Sequence, residues 1–411
     1  MIIDTTLLSR IQFGFTIGFH ILFPTLNIGL AVFLSVMEGI WLKTGNPVYL
    51  RICQFWTKIF ALTFGMGVVS GIVLAYELGT NFGPFISTAG GVIGALFVYE
   101  VLSAFFLVAG FLGVTFFGWD KVGPRLHYLA TLLVTLGTLF SALGILSANS
   151  WMQTPAGFHI DAGKYVVDSW WTVVFNPSAI PRFLHMVMAS LLTTCFAIAG
   201  VSSWYLLKRK YLDIAKPCFS FVLAAAMVIA PVQILLGDMV GLRVFEYQPL
   251  KTAAIEANWN TQNGAPLILF AIPNSKQEKN YYEVSIPKLA SLINTHHWNG
   301  KLIGLKSVPR ADRPVVGATF WMFRVMVGIG FLFLFVALYV LWQRLRGKLY
   351  NSDMLYRLCI LIAPLGFLST IAGWVTAESG RQPWIVYNLI STSEGASIVP
   401  LHQVIISLAL L

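Results

Sequence analysis

The 411-residue chain is 57% hydrophobic and only 11% charged, where soluble proteins run at roughly a quarter charged, so a water-soluble globule is excluded. The formal charge of +10 does not mark a nucleic-acid partner, because the basic residues sit in short segments between apolar blocks, the pattern of topology signals. Cys53, Cys195, Cys218 and Cys359 lie in or at the ends of apolar blocks without paired spacing and read as packing residues, not a disulfide framework or zinc site.

The apolar residues come in blocks near 20 long, the length that crosses a bilayer, and open strands cannot cross lipid. The fold class expected is therefore an all-α integral membrane protein with about nine spans: 11–37, 54–79, 92–117, 125–147, 183–207, 218–241, 314–343, 355–377 and 399 onward. The first block runs past signal-peptide length and lacks a small-residue cleavage site, so no cleaved leader is expected. The last block has about a dozen residues before Leu411, half a crossing by length, and reads as cut short. This divides the chain into helices 1–6 (1–241), a long connection (242–313) and helices 7–9 (314–411).

Segments after the odd-numbered blocks carry Lys43 and Arg51, Lys121 and Arg125, the Lys208–Lys216 cluster, and Arg344, Arg346, Lys348 and Arg357. Segments on the other side are poorer: 80–91 has no basic residue, and 148–182 has Lys164 and Arg182. The positive-inside rule then puts the N-terminus and the 242–313 connection outside. Within that connection, Pro249–Gln262 is amphipathic, with Lys251 and Glu256 five apart. It reads either as a solvated surface helix or as a docking site for an amphiphilic substrate.

An ionisable group at mid-bilayer costs about 2.5–3.5 kcal/mol on insertion scales, so each one asks for a reason. The first block holds His20, the third Glu100, the fifth opens on His185, and the seventh holds Arg324 and Met326. The eighth ends in GWVTAESGRQPW, with Glu378 three residues before Arg381. Glu378 has three readings: a solvated cap, a salt-bridge partner of Arg381, or a metal or haem ligand. With the N-terminus outside, His20, His185, Met326 and Glu378 all fall in the outer half of the membrane. Four ligand-type residues at comparable depth on four helices suit haems held between helices near the outer face. A transporter would more often gather such groups at the midplane, on broken helices. His127, His159, His296, His297 and His402 have no evident partner and read as surface or interface groups.

The segments SRIQFGFTIGFHILFP, GTNFG, AFFLVAGFLGVTFFGWD, LSANSWMQTP, KTAAIEANWNTQ, FWMFRVMVG and GWVTAESGRQPW, in that order, resemble subunit I of the cytochrome bd-type quinol oxidases over essentially the whole chain. The short outer loop resembles the short-loop, cyanide-insensitive branch. The resemblance implies a haem-bearing subunit that oxidises membrane quinol outside and reduces O2 to water with protons from the inside. Such a subunit generates a proton motive force without pumping. It further implies His185 and Met326 as axial ligands of a low-spin b haem with Arg324 beside them, and His20 and Glu378 as ligands of two high-spin haems. The cofactors implied are two b-type haems and one haem d, or a third b-type haem. Lys251 and Glu256 match loop residues of quinol oxidation, Glu100 and Arg381 lie by the oxygen-reducing pair, and Arg10 and Trp374 match haem-environment residues. The implied partners are a second oxidase subunit, a small single-helix subunit, quinol, O2 and the lipid of a bacterial cytoplasmic (inner) membrane.

Two departures weigh on the activity. Members usually carry a second carboxylate eight residues after the first in the third helix, where this chain has Val108. Asn388 and Ser391 also differ from the residues expected in the short-loop branch. Val108 keeps a second reading open, a haem-containing electron-transfer or redox-sensing subunit without efficient O2 reduction.

Overall fold

The computed structural model describes residues 5–410. Among them, eight helical stretches are long and apolar enough to cross a membrane, and they coincide with the first eight blocks. Most extend several residues past the apolar run, as helices do when they continue into the interfacial layer. The ninth block forms a helix over Leu401–Leu410, half a crossing.

The first crossing is two helices, α1 (Thr5–His20) and α2 (Leu22–Thr44). Pro24 has no N–H to give the His20 carbonyl, and the interruption falls there. Gly45 then ends α2 in the left-handed region at φ 66°, and the side chain of Asn46 caps α3 (Pro47–Asn81), which opens on proline. The third crossing runs as α4 (Gly83–Leu102), a π-helical segment (Ser103–Ala109) and α5 (Gly110–Phe117). Next come α6 (Pro124–Gln153), the strand pair β1 (Phe158–Asp161) and β2 (Lys164–Val167), and the short α7 (Trp170–Val174). The fifth and sixth crossings are α8 (Ala179–Leu207) and α9 (Leu212–Tyr247).

The long connection is structured. It holds α10 (Pro249–Ile255), the antiparallel hairpin β4 (Leu267–Asn274) and β5 (Lys279–Ile286), and α11 (Leu289–Thr295). A two-residue pair, β3 (Gln262–Asn263) with β6 (Lys301–Leu302), closes it. The chain re-enters the bundle as α12 (Val316–Leu345). The eighth crossing divides at Pro364 into α13 (Asp353–Ile362) and α14 (Leu365–Ser379), again where proline withholds a hydrogen from the preceding turn. The pair β7 (Trp384–Val386) and β8 (Ile390–Ser391), α15 (Thr392–Gly395) and α16 (Leu401–Leu410) finish the described chain.

The core sits among α2, α3, α8, α9, α12 and α13, where Phe33, Trp56, Phe196, Phe219, Phe333 and Tyr356 interlock. Phe196 and Phe333 stack with ring centroids 4.0 Å apart. In lipid the bundle gains nothing from hiding apolar surface, so close approach must hold it. Small residues supply that approach: a β-carbon on Gly200 would lie 2.6 Å from that of Ala363, and one on Gly366 2.7 Å from Thr193 Oγ1.

Candidate functional site

The polar groups fall in two places at the end of the bundle where α6, α9 and α14 finish. One is a continuous network between α6, α10 and α14. Asn149 donates to Glu378 Oε1 at 2.9 Å, Gln153 Nε2 lies 3.4 Å from the same oxygen, and Arg381 closes on Glu378 Oε2. Gln153 turns its own amide oxygen to Lys251, which donates to it. The side-chain amide of Gln248 donates to the Gln153 carbonyl at 3.1 Å. One glutamine thus joins the loop lysine to the carboxylate that ends α14, 127 residues later in sequence as the numbering gives it. Gly380 makes room for this, since a β-carbon there would meet the Lys251 side chain.

Lys251 is 2% exposed and Glu256 4%. The stretch that carries them is therefore not a solvated surface helix: α10 is short, and most of it is buried against the bundle end. Burial drives the Lys251 amine well below its ordinary pKa, Arg182 and Arg381 push the same way, and Glu378 opposes them. Burial raises the Glu256 carboxyl, against the pull of Arg324 and the Asn294 amide. Both groups are thereby moved toward the neutral form.

The second place is the start of α12. Arg324 donates through Nε to the Ile268 carbonyl at 2.9 Å and through Nη1 to Ile255 at 2.7 Å and Phe320 at 3.0 Å. It lies 3.4 Å above the Phe320 ring and 3.8 Å from Glu256 Oε2. Its guanidinium ties β4 and the end of α10 to the helix turn that carries Met326.

The remaining predicted residues are spread through the bundle. His20 Nδ1 lies 2.9 Å from Ser70 Oγ, whose own hydrogen goes to the Met66 carbonyl at 2.8 Å. The imidazole therefore donates from Nδ1 and keeps Nε2 as an acceptor. His185 Nε2 is 3.3 Å from Gln233 Nε2, while its buried Nδ1 has no protein partner. Glu100 accepts from Ser141 at 3.0 Å. Trp374 is half-buried on α14, and Arg10 is exposed on α1. Val108 is buried in the π-helical segment, against α6 at Gly137.

Three of the ligand-type residues face glycines on neighbouring helices. A β-carbon on Gly373 would lie 2.8 Å from Met326 Sδ, one on Gly71 3.3 Å from His20 Cε1, and one on Gly237 3.4 Å from His185 Cε1. The glycines let these side chains lie close against the neighbouring helices, and the unpaired buried His185 Nδ1 with the acceptor Nε2 of His20 are nitrogens of the kind that ligate a haem iron.

Sequence reasoning passed over Gln153, Asn149, Ser70 and Gln233, although Gln153 and Asn149 lie inside LSANSWMQTP. Polar neutral residues at a helix end carry no charge or period signal; only their partners reveal them. His127 differs from its expected surface setting: it is buried, 2.7 Å from the buried carboxylate of Glu38.

The fold and these sites define a multi-pass, mostly helical membrane protein with buried, partnered ionisable groups at one end of its bundle. The chain belongs to the cytochrome bd terminal oxidase subunit I family, whose model matches residues 8–411. It is 35% identical over 400 residues to the cytochrome bd ubiquinol oxidase subunit 1 of Bacillus subtilis (strain 168), covering 95% of this chain and 86% of that one. It is 32% identical over 478 residues to the cytochrome bd-II ubiquinol oxidase subunit 1 of Escherichia coli (strain K12), covering 99% and 93%. The solved bd oxidase of Geobacillus thermodenitrificans superimposes with a TM-score of 0.92 at 30% identity, over 99% of this chain and 94% of its own.

Proposed function

We propose that this chain is the haem-bearing, quinol-oxidising subunit of a bacterial quinol:O2 oxidoreductase, with its N-terminus and the 242–313 segment on the outer face of the cytoplasmic membrane. Membership of the oxidase family supports the electron-transfer activity. The observation that carries the site reading is the Lys251–Gln153–Glu378–Arg381 network, which joins the loop to the end of α14.

His185 and Met326 would hold a low-spin b haem, and His20 and Glu378 two high-spin haems, one of them haem d or a third b-type haem. When bound, these groups supply one-electron carriers and, at the high-spin sites, an open position for O2. The chain's own residues do the rest. Ser70 fixes the His20 ring with Nε2 free to coordinate. Asn149 and Arg381 orient Glu378. Lys251, kept toward the neutral amine, accepts one hydroxyl proton of quinol, and Glu256, as the carboxylate whose proton affinity burial raises, accepts the other. Arg324 anchors the loop over this pocket. Glu100, hydrogen-bonded to Ser141, passes protons to the site of oxygen reduction. Protons leave outside with quinol oxidation and enter from the inside, so charge separates without a pump. Arg10 and Trp374 would line the haems, and a second oxidase subunit and a small single-helix subunit would complete the complex.

The test is a reduced-minus-oxidised visible spectrum of the purified complex, repeated under carbon monoxide. A far-red chlorin band that shifts with the gas is the expected result. Bands of b type alone, none responding to the gas, would leave an electron-transfer subunit, the alternative that Val108 keeps in play.

A further inference from the structure

Glu38 on α2 and His127 on α6 are each 1% exposed, and their side chains meet at 2.7 Å near the end of the bundle opposite the Lys251 network. The other carboxylate oxygen accepts from Thr131 at 2.7 Å. His127 Nε2 is buried without a partner, and the ring lies under Trp119 with centroids 3.8 Å apart. Trp119 lies in the short loop after α5, and the next residues, Asp120 and Lys121, are exposed. The indole that covers the imidazole thus lies next in sequence to exposed loop residues. As a structural anchor the pair is poor, since a half-satisfied buried polar cluster costs more than an apolar one of the same shape.

The hydroxyls continue from there. Ser35 and Thr135 meet at 2.7 Å across α2 and α6. Counted at 100° per residue, His127, Thr131, Thr135, Thr138 and Ser141 fall within roughly a third of the circumference of α6. The stripe ends where Ser141 donates to Glu100. It spans about 21 Å at 1.5 Å per residue. Steps of one turn are about 6 Å, which one water bridges with two ordinary hydrogen bonds. Along the neighbouring helix the route is closed: Val108 and Leu107 pack directly on α6 at Gly137.

Building on the oxidase reading above, we infer that the Glu38–His127 pair is the inner mouth of a proton conduit that follows the hydroxyl stripe of α6 to Glu100 and bypasses Val108. A proton taken up at His127 Nε2 is matched by loss of the Nδ1 proton to Glu38. Glu38 then hands that proton on through Thr131 and is a carboxylate again, while the imidazole keeps its Nε2 proton and turns that N–H back toward Glu38 by ring rotation, releasing nothing to the inner side. Each hop moves one proton in and one out, and no electrons are exchanged.

The test uses the assembled oxidase in proteoliposomes with a pH dye trapped on the Glu38 side. Glu38→Gln and Thr131→Val are compared with the parent in two measurements: anaerobic haem reduction by quinol, and oxygen consumption with the dye signal. The expected result is haem reduction at the parent rate, while oxygen consumption and proton uptake fall together, on the order of tenfold. A general structural defect slows both measurements alike, and that outcome, like no change in either, overturns the conduit. If Glu38→Gln loses its haems, Thr131→Val decides by the same criterion, because it leaves the Glu38–His127 contact in place. A parent complex that consumes no oxygen overturns the oxidase reading and the conduit with it. An active parent with unaffected variants overturns the conduit alone.

Discussion

Replacing Gly373 by alanine tests the role of Met326 without touching it. The added β-carbon would stand 2.8 Å from Met326 Sδ, where ordinary contact begins at 3.4 Å. The sulfur must therefore withdraw by about 0.6 Å, or the helices must part. A thioether is flexible, so for the fold the methyl costs about 1 kcal/mol, the low end for an overpacked site. For a metal ligand the same displacement is decisive, because bond lengths tolerate only about ±0.2 Å. The expected outcome is a nearly unchanged thermal midpoint together with loss of the low-spin b band in the reduced visible spectrum. Gly237→Ala, whose β-carbon would lie at ordinary contact, 3.4 Å from His185 Cε1, should leave the band in place. Gly373→Ala with the parent spectrum and lowered stability would refute the assignment: Met326 would then be packing, not ligand.

Gln153→Leu removes the acceptor of Lys251 and one donor to Glu378. A buried donor left unpaired costs about 1–3 kcal/mol, so quinol oxidation should drop by roughly 5- to 160-fold while haem content, read from the spectrum, stays. Ser70→Ala deprives His20 of its Nδ1 acceptor; loss of such support typically costs about 10–100-fold in metal affinity, and a haem assay of the purified complex should show under-occupancy. Arg313 and Arg310 hold the Glu278 carboxyl at about 2, below the ordinary value near about 4.3. That ion pair therefore stabilises the loop at neutral pH and is lost as pH falls from about 4 toward 2. Limited proteolysis of the 242–313 segment should accelerate across that window in the parent, whereas Glu278→Gln should be cleaved faster at pH 7 and change little more below it.

The crossings were legible because lipid demands long apolar runs and leaves helices as the only way through for these segments. Two of the interruptions were written in the chain as Pro24 and Pro364. The π-helical segment was not, because Ser103–Ala109 has no glycine or proline to mark it. Individual polar residues could be singled out because each breaks an apolar block, but their partners could not. Glu38 and His127 are 89 residues apart, and each stands near basic loop residues, where an ionisable group looks ordinary. Lys251 and Glu256 were found by motif, yet their burial comes from tertiary packing, which amphipathic spacing does not report.

Arg324 has a consequence for anyone who would exchange loops between relatives. Its guanidinium is satisfied by main-chain carbonyls at Ile255 and Ile268, both inside the 242–313 segment. A transplanted loop that fails to present those two oxygens would strand a largely buried cation one short step from Met326, a loss of about 3–5 kcal/mol for an uncompensated charge. The loop is therefore not a detachable cassette for substrate choice. It is cross-braced to the helix behind it, and a graft that ignores the brace should show its defect at Met326 before it shows a new preference for quinone.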